Sequence, residues 1–83
     1  MLQLEIYTPE KAVFTGEVQA VQVPGTGGLF EVLVGHAPLI SSLEAGNLRV
    51  TAADGAQTSY QIKKGFVEVL NNHIAVLVEG VEE

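Results

Sequence analysis

The chain contains two histidines, His36 and His73, which are its side chains best suited to proton transfer or metal binding near neutral pH. His36 lies in the segment EVLVGHAPLIS, where Gly35 and Pro38 interrupt an apolar run. A histidine between two backbone breakers is compatible with a catalytic base, a metal ligand or a displayed contact. Each of these functions needs different partner residues.

The partners for metal binding are missing at useful spacings. Imidazole sites need further nitrogen or carboxylate ligands at defined spacings, and neither His-x-His nor His-x₃-His occurs. There are no cysteines, which excludes thiolate ligands and disulfides. We therefore expect no metal site, and we interpret His73, which follows an Asn-Asn turn, as a solvated hairpin residue.

A catalytic role for His36 requires a nucleophile and an orienting carboxylate. The sole aspartate is Asp54, and the sequence has no Gly-x-Ser-x-Gly elbow. The sequence leaves open whether His36, Asp54 and a serine lie close together in the fold. The candidate serines are Ser41, Ser42 and Ser59. We expect no catalytic residues and interpret His36 as a structural or contact residue.

The glycine-rich stretch 24–28, PGTGG, resembles a phosphate-binding loop only superficially. The P-loop pattern needs a Lys-Ser or Lys-Thr pair before a helix, and none follows. The dinucleotide pattern fails because its third glycine position, counted from Gly25, holds Phe30. We expect a turn whose glycines adopt positive φ, with no cofactor.

The charge balance argues against nucleic acid as a partner. The net charge is −6, and only four basic residues are present, Lys11, Arg49, Lys63 and Lys64. We interpret Lys63-Lys64 as protection of a strand edge against aggregation, or as a group that meets an acidic partner together with Arg49. We expect most glutamates on or beside strands to face water from solvated sheet faces, and those near the C-terminus to form a solvated tail. The glutamates in question are Glu5, Glu17, Glu31, Glu44 and Glu68 on the strands and Glu79, Glu82 and Glu83 near the end.

The hydropathy pattern predicts short strands separated by turns. Residues 2–6 alternate apolar and polar side chains, as a half-buried strand does, and Asp54-Gly55 is a dipeptide favoured in type I′ hairpins. The apolar positions between Val18 and Val23 change phase, which indicates a bulge or burial on both faces. Roughly nine strands are predicted, near residues 2–6, 13–14, 18–23, 29–34, 39–43, 48–52, 58–62, 66–70 and 74–78. This spacing is typical of an all-β sandwich or barrel, and we predict a sandwich occupying residues 1–83.

The order of the motifs takes the interpretation further. The glycine-rich loop leads to Gly35-His36-Ala37-Pro38-Leu39, and later come GFVEV at 65–69 and NHIAVL at 72–77. Together with Phe14-x-Gly16, this order resembles the N-terminal domain of the epsilon subunit of F-type ATP synthase, called delta in mitochondria. The resemblance covers essentially the whole chain.

The resemblance implies a flattened, mainly antiparallel β-sandwich of nine to ten strands and a non-catalytic rotor component of the central stalk. The domain would pack on the gamma subunit and rest on the ring of c subunits, coupling ion-driven rotation to ATP synthesis. It would be peripheral, on the cytoplasmic face of the bacterial inner membrane or its organellar equivalent, without inserting into the membrane. Family positions that face gamma fall on Thr8, His36 and Ser41. Family positions in the loop that faces the c-ring fall on Thr26, Gly27, Gly28, Leu29 and Glu31.

The sequence departs from the family pattern in two places. Leu29 occupies a position that is often acidic, which leaves Glu31 as a substitute contact to basic ring loops, and Lys64 stands where a glycine is common. The family's usual protein continues into two C-terminal helices. We expect this chain to lack that pair, so its inhibitory role is not carried over.

A second function fits the same fold. A sandwich that binds ligands such as carbohydrate would need aromatic rings exposed side by side. The aromatic residues available are Tyr7, Phe14, Phe30, Tyr60 and Phe66.

Overall fold

The computed structural model describes residues 1–82; Glu83, the last residue of the predicted domain and of the acidic tail, lies outside the described residues. The strands are β1 (Leu2–Tyr7), β2 (Ala12–Gly25), β3 (Gly28–Leu33), β4 (Leu39–Leu43), β5 (Gly46–Ala52), β6 (Gln57–Ile62), β7 (Lys64–Leu70) and β8 (His73–Glu79). No helix occurs within residues 1–82. The all-β prediction is therefore confirmed.

The structure has eight strands because two predicted strands are one. Val13-Phe14 and residues 18–23 both belong to β2, which runs through Thr15-Gly16 without a break. Gly16 lies opposite Leu4 of β1, and this pairing holds the glycine in the extended conformation. A glycine weakens a strand but does not end it when a neighbouring strand supplies the hydrogen bonds.

The long strand β2 belongs to both layers of the sandwich. Its first half pairs antiparallel with β1, and its second half pairs with β3 on one side and β5 on the other. One layer runs β4–β7–β8–β1, with the first half of β2 beside β1, and the other runs β3–β2–β5–β6. The β1–β8 contact is parallel and the other pairings are antiparallel.

The core fills the space between these layers with aliphatic side chains. Leu2, Leu4 and Ile6 of β1 are fully buried, as the predicted alternation requires. The buried positions on other strands include Val18, Val21, Val23, Val32, Leu48, Val67, Val69, Ile74, Val76 and Val78. No polar or charged residue within 1–82 is classed as buried, so the interior contributes packing and no chemistry.

The predicted irregularity between Val18 and Val23 is confirmed. The register of β2 against β5 shifts between Val18 and Ala20. Gln19 occupies the extra position and turns outward, where its Nε2 donates to the carbonyl oxygen of Ala53 at 2.8 Å. The shift explains the change of phase, because a bulge moves the following side chains to the opposite face.

Two hairpin turns differ in how well the sequence predicted them. Asn71 and Asn72 have φ of 51° and 63°, as a two-residue type I′ turn requires. The predicted type I′ turn at Asp54-Gly55 is wrong, since only Gly55, at φ 91°, is left-handed there. Gly55 N–H donates to Ala52 C=O at 2.9 Å, and Asp54 Oδ1 accepts from Ala56 N–H at 2.9 Å. These contacts define a longer turn that ends with a left-handed glycine.

The two adjacent lysines do not share the predicted edge position. β7 lies between β4 and β8, so Lys64 at its start is not on an edge strand, and its Nζ lies 3.5 Å from Glu79 Oε1. Lys63 follows β6, which is the edge strand of its layer. Lys64 has no positive φ, so the departure from glycine at this position introduces no backbone strain.

Candidate functional site

The interruption after β3 displays His36 without the partners of a catalytic base. Gly35 turns the chain at φ 85°, and His36 N–H donates to Leu33 C=O at 3.1 Å. The imidazole is half-buried, its Nδ1 lies 2.7 Å from Ala37 O, and its ring lies 6.5 Å from that of Phe30. The surroundings of His36 are thus local backbone and one aromatic ring.

The residues that a hydrolytic triad would need remain apart. Asp54 binds its own turn, and within residues 1–82 no hydrogen bond connects it or a serine to His36. The three candidate serines have other contacts: Ser41 Oγ donates to Ser42 O, Ser42 Oγ meets Thr26 Oγ1, and Ser59 Oγ accepts from Asn47 Nδ2. In the same part of the chain, no group of three or more histidine, aspartate or glutamate side chains is arranged to hold a metal ion.

The glycine-rich stretch forms the tip of the β2–β3 hairpin. Gly25 and Gly28 pair across the turn, and Thr26 and Gly27 occupy its end. Gly28 has the expected positive φ, 132°, but Gly25 and Gly27 do not. A Cβ on Gly25 would lie 2.7 Å from the Phe30 ring, so close packing is the reason for glycine there. The loop is followed by a strand, as predicted.

The hairpin tip is held on the neighbouring layer by hydroxyl and backbone contacts. Thr26 N–H donates to Ser42 C=O at 3.1 Å, and the hydroxyls of Thr26 and Ser42 lie 3.1 Å apart. Leu29 and Glu31 follow on the same outward side of β3, and both are exposed. The structure thus brings together the five residues that the resemblance assigns to the c-ring.

Thr8 occupies the turn after β1. Its Oγ1 accepts from Lys11 N–H at 3.1 Å and from Glu10 N–H at 3.2 Å, and its own N–H donates to Lys11 C=O at 2.8 Å. Side-chain oxygens of threonine commonly replace backbone acceptors in such turns. Thr8 therefore shapes the turn as well as lining its half-exposed surface.

The three residues assigned to gamma lie on separate parts of the molecule. Ser41 lies in β4 opposite Val67 of β7, and Thr8 follows β1, with β7 and β8 in between. Three strand spacings correspond to about 14 Å. His36 precedes β4 at the end of the molecule near the Asn71-Asn72 turn, because Gly35 N–H donates to Asn72 Oδ1 at 2.7 Å.

A larger exposed surface, which sequence reasoning missed, begins beside Thr8. Ser41 does not belong to it, because its side chain lies on the same side of the sheet as that of the buried Val67. We call the solvent-facing side of β4, β7, β8 and β1 the outer face. Its side chains stand in three rows across the strands: Leu70, His73 and Gln3; Ile40, Glu68, Ala75 and Glu5; Ser42, Phe66, Leu77 and Tyr7. The alternation of apolar and polar residues in each strand predicts which side chains face outward. It does not predict which strands lie next to one another, which only the fold decides.

The glutamates on or beside strands lie on solvated surfaces as predicted. The predicted solvated tail is wrong for Glu79, which ends β8, and for Glu82, whose backbone pairs with that of Gln61. Glu17, Glu31, Glu44 and Glu68 are exposed, and Glu5 is half-exposed. The contact of Glu5 Oε1 with His73 Nε2 at 3.2 Å was not predicted.

The exposed aromatic rings do not form a stacking platform. Tyr7 and Phe66 are exposed, and Leu77 of β8 stands between them in the row, which separates them by about 10 Å. Phe14 and Phe30 are partly buried against the core, and Tyr60 is buried. This arrangement gives the carbohydrate-type alternative no support.

The fold and these exposed surfaces define the class of protein: a small β-sandwich domain suited to contacts with other proteins. Comparison with known families gives a more specific assignment. The chain belongs to the family of the ATP synthase delta/epsilon chain β-sandwich domain, whose model matches residues 1–83.

Individual relatives agree with that assignment. The chain is 44% identical over 79 residues to the ATP synthase epsilon chain of Chlorobium limicola, covering 95% of this chain and 90% of that protein. It is 44% identical over 78 residues to the epsilon chain of Magnetococcus marinus, covering 94% of this chain but 56% of the longer relative. A chain in the cryo-EM structure of Euglena gracilis mitochondrial ATP synthase (OSCP/F1/c-ring) superposes with a TM-score of 0.92. At 23% identity, with 98% of this chain and 52% of that one covered, it supports the fold.

Proposed function

We propose that this chain is a non-catalytic rotor subunit in the central stalk of F-type ATP synthase. It binds the gamma subunit and the c-ring and couples ion-driven rotation to ATP synthesis. The observation that carries the proposal is the family match over residues 1–83, together with 44% identity to an epsilon chain of nearly the same length. In this role the chain is peripheral, on the cytoplasmic face of the bacterial inner membrane or its organellar equivalent. Residues 1–82 contain no helix able to span a bilayer.

The architecture suits the transmission of torque. β1, β8, β7, β4 and β2 form a closed circuit, because β2 also pairs with β4 at Gly25 and Leu43. The β2–β4 contact covers only the Leu43 end of β4, and the core behind the circuit is made mostly of buried aliphatic side chains. A domain held together in this way resists shear better than a loop-rich one, so that rotation of the ring is passed on to gamma.

Two contact regions follow from the family resemblance. The resemblance assigns gamma to Thr8, His36 and Ser41, and it assigns the c-ring to the β2–β3 hairpin with Thr26, Gly27, Gly28, Leu29 and Glu31. The hairpin tip is exposed and is tied to β4 through Thr26 and Ser42, which suits a contact that has to bear load.

Binding to the isolated gamma subunit tests the first contact. We expect the purified chain to form a one-to-one complex with its cognate gamma subunit in calorimetry and size-exclusion chromatography, without turnover of its own. Absence of binding at micromolar concentrations, with the chain folded, would remove the rotor proposal.

Site-specific cross-linking tests the second contact. The chain has no cysteine, so a single introduced thiol is unique. Gly27→Cys is suitable because no atom lies within 4 Å of the added Cβ. In the assembled complex, a photoactivatable cross-linker on this thiol should capture a c subunit. The matched control, Ala53→Cys, lies in the β5–β6 turn beside Gln19 in the middle of β2, away from the hairpin tip, and should not capture one. Equal capture from both positions would contradict the assignment.

A further inference from the structure

A ladder of uncharged polar side chains covers the solvent-facing side of β5 and β6, with one arginine in its middle. Leu48 and Val50 of β5 point into the core, so the residues that alternate with them point outward. Arg49 stands directly opposite Ser59 of β6. The other members pair across the two strands in the same way, and we call the whole set the β5–β6 ladder: Asn47, Arg49, Thr51, Gln57, Ser59 and Gln61. None of the residues that the resemblance assigns to gamma or the c-ring belongs to it.

The guanidinium of Arg49 has no partner in the fold. Its Nε is shielded from water and makes no hydrogen bond, which is true of no other side-chain nitrogen or oxygen within residues 1–82. Neither of the two ion pairs in the described part of the chain involves it. The carboxylate in the same row, that of Glu31 in β3, stands two strand spacings away, about 10 Å, with Gln22 in between. A shielded donor without an acceptor costs stability, so this atom needs an acceptor that the chain itself does not supply.

A chain of hydrogen bonds runs toward Arg49 from one end of the ladder. Gln61 Nε2 donates to Asn47 Oδ1 at 3.2 Å, and Asn47 Nδ2 donates in turn to Ser59 Oγ at 3.5 Å. A hydroxyl that accepts a hydrogen bond keeps its own hydrogen for donation. Within residues 1–82 the Ser59 hydroxyl has no acceptor, so a second donor without a partner stands directly across from Arg49.

The other end of the ladder repeats this pattern. Gln57 Nε2 donates to Thr51 Oγ1 at 3.5 Å, and among the described residues the hydrogen of this hydroxyl likewise has no acceptor. Thr51 follows Arg49 by two positions and therefore stands on the same side of β5. The guanidinium is thus flanked by two hydroxyl donors that lack acceptors, as it does itself.

The charges at the borders of the ladder restrict what can bind there. Glu31 lies beyond Gln22 on one side, and Glu82, whose backbone pairs with that of Gln61, lies beyond β6 on the other. These carboxylates and the net charge of −6 repel a polyanion such as nucleic acid or an anionic lipid surface, whereas a single carboxylate can reach Arg49 between them. A second copy of the chain is a poor occupant, because ladder against ladder sets arginine against arginine.

We propose that the β5–β6 ladder is a docking surface for a partner protein that presents one aspartate or glutamate among uncharged polar side chains. An ionised carboxylate fits because it only accepts hydrogen bonds, and its two oxygens match the fork of the Arg49 guanidinium. The Ser59 hydroxyl donates to one of its remaining lone pairs, and the Thr51 hydroxyl donates to a neighbouring carbonyl of the partner. This contact is additional to the rotor role and does not depend on it.

The test titrates the isotopically labelled full chain with a synthetic peptide, acetyl-Gln-Ser-Glu-Ser-Gln-amide, and follows binding by NMR. We expect saturable shifts of the Arg49 Nε–H and of the backbone amides of residues 47–51 and 57–61, and none with a peptide in which glutamine replaces the glutamate. Arg49→Gln should weaken binding about fivefold or more, because the charge-assisted pair is lost. Arg49→Lys, which keeps the charge but not the fork, should weaken it about threefold. Lys11→Gln makes the same change in charge as Arg49→Gln in the exposed turn between β1 and β2 and should stay within about twofold of the original chain.

The remaining outcomes overturn the inference. Absence of shifts, equal binding of the acidic and the glutamine peptide, or equal binding by Arg49→Gln and the original chain would show that no contact depends on a carboxylate at Arg49. Inorganic phosphate is titrated separately, and tighter binding of phosphate than of the acidic peptide would make the ladder a phosphate site instead of a protein contact. The amide spectrum of each variant establishes that it is folded, and Arg49→Lys provides the comparison if Arg49→Gln is not. The rotor proposal stands under every one of these results, since the residues assigned to gamma and the c-ring lie outside the ladder.

Discussion

His73 Nε2 lies 3.2 Å from Glu5 Oε1 across the parallel pairing of β8 with β1. The two residues are 68 positions apart in the chain. Their side chains are about half exposed, at 53% and 45%, and together with Ala75 they line an open depression on the outer face. Because both groups are exposed, the pair fixes the direction of the Glu5 side chain more than it stabilises the fold.

Replacing Glu5 by glutamine should lower the free energy of unfolding by less than about 1 kcal/mol, because water and salt screen exposed ion pairs. Chemical denaturation measures this change. Glu17→Gln, on the exposed side of β2, is the matched control and should be close to neutral. A loss above about 2 kcal/mol for Glu5→Gln alone would show that the pair is a structural tie.

Gly65→Ala should be strongly destabilising, by about 2 kcal/mol or more, because overpacking against backbone cannot be relieved by a rotamer change. The added Cβ would collide with the carbonyl oxygen of Leu77 and lie 3.2 Å from Val78 Cα. Urea denaturation gives the difference. Gly27→Ala enters open space and serves as the control. Similar stabilities of the two variants would contradict the close β7–β8 approach.

His36→Ala should weaken gamma binding severalfold while the melting temperature changes by no more than about 2 °C. The side chain is half-buried and has one hydrogen-bond contact, to the neighbouring Ala37 carbonyl, so little stability depends on it. Calorimetry and thermal melts measure the two effects. Gln57→Ala, on an exposed position of β6, should change neither. A large drop in melting temperature would identify His36 as a packing residue instead of a contact.

Local patterns were sufficient for much of the secondary structure. The alternation at Leu2, Leu4 and Ile6 predicts both the strand and its buried side, since a strand can hide only every second residue behind one face. Asn71-Asn72 predicts its hairpin because asparagine tolerates the left-handed conformation that the turn needs. The motif order identified the family, because GHAPL, GFVEV and NHIAVL are specific in combination although each alone is weak.

Contacts between residues that are not neighbours in the sequence explain two glycines whose roles the local patterns did not predict. Gly16 looks like a break between strands, but it is held extended by Leu4, so that two predicted strands form one. Gly25 is required by the Phe30 ring five residues later and not by its own φ. In both cases a partner supplied by the fold overrides the local preference of glycine.

The sequence by itself determined which residues each strand turns outward and which family the chain belongs to. Only the tertiary structure decided that Ile40, Phe66, Glu68 and Glu5 share one surface, because they come from four strands at distant chain positions. The physical reason is that the side-chain period of a strand is local, whereas strand adjacency follows from closing the circuit β1–β8–β7–β4–β2 around a common core.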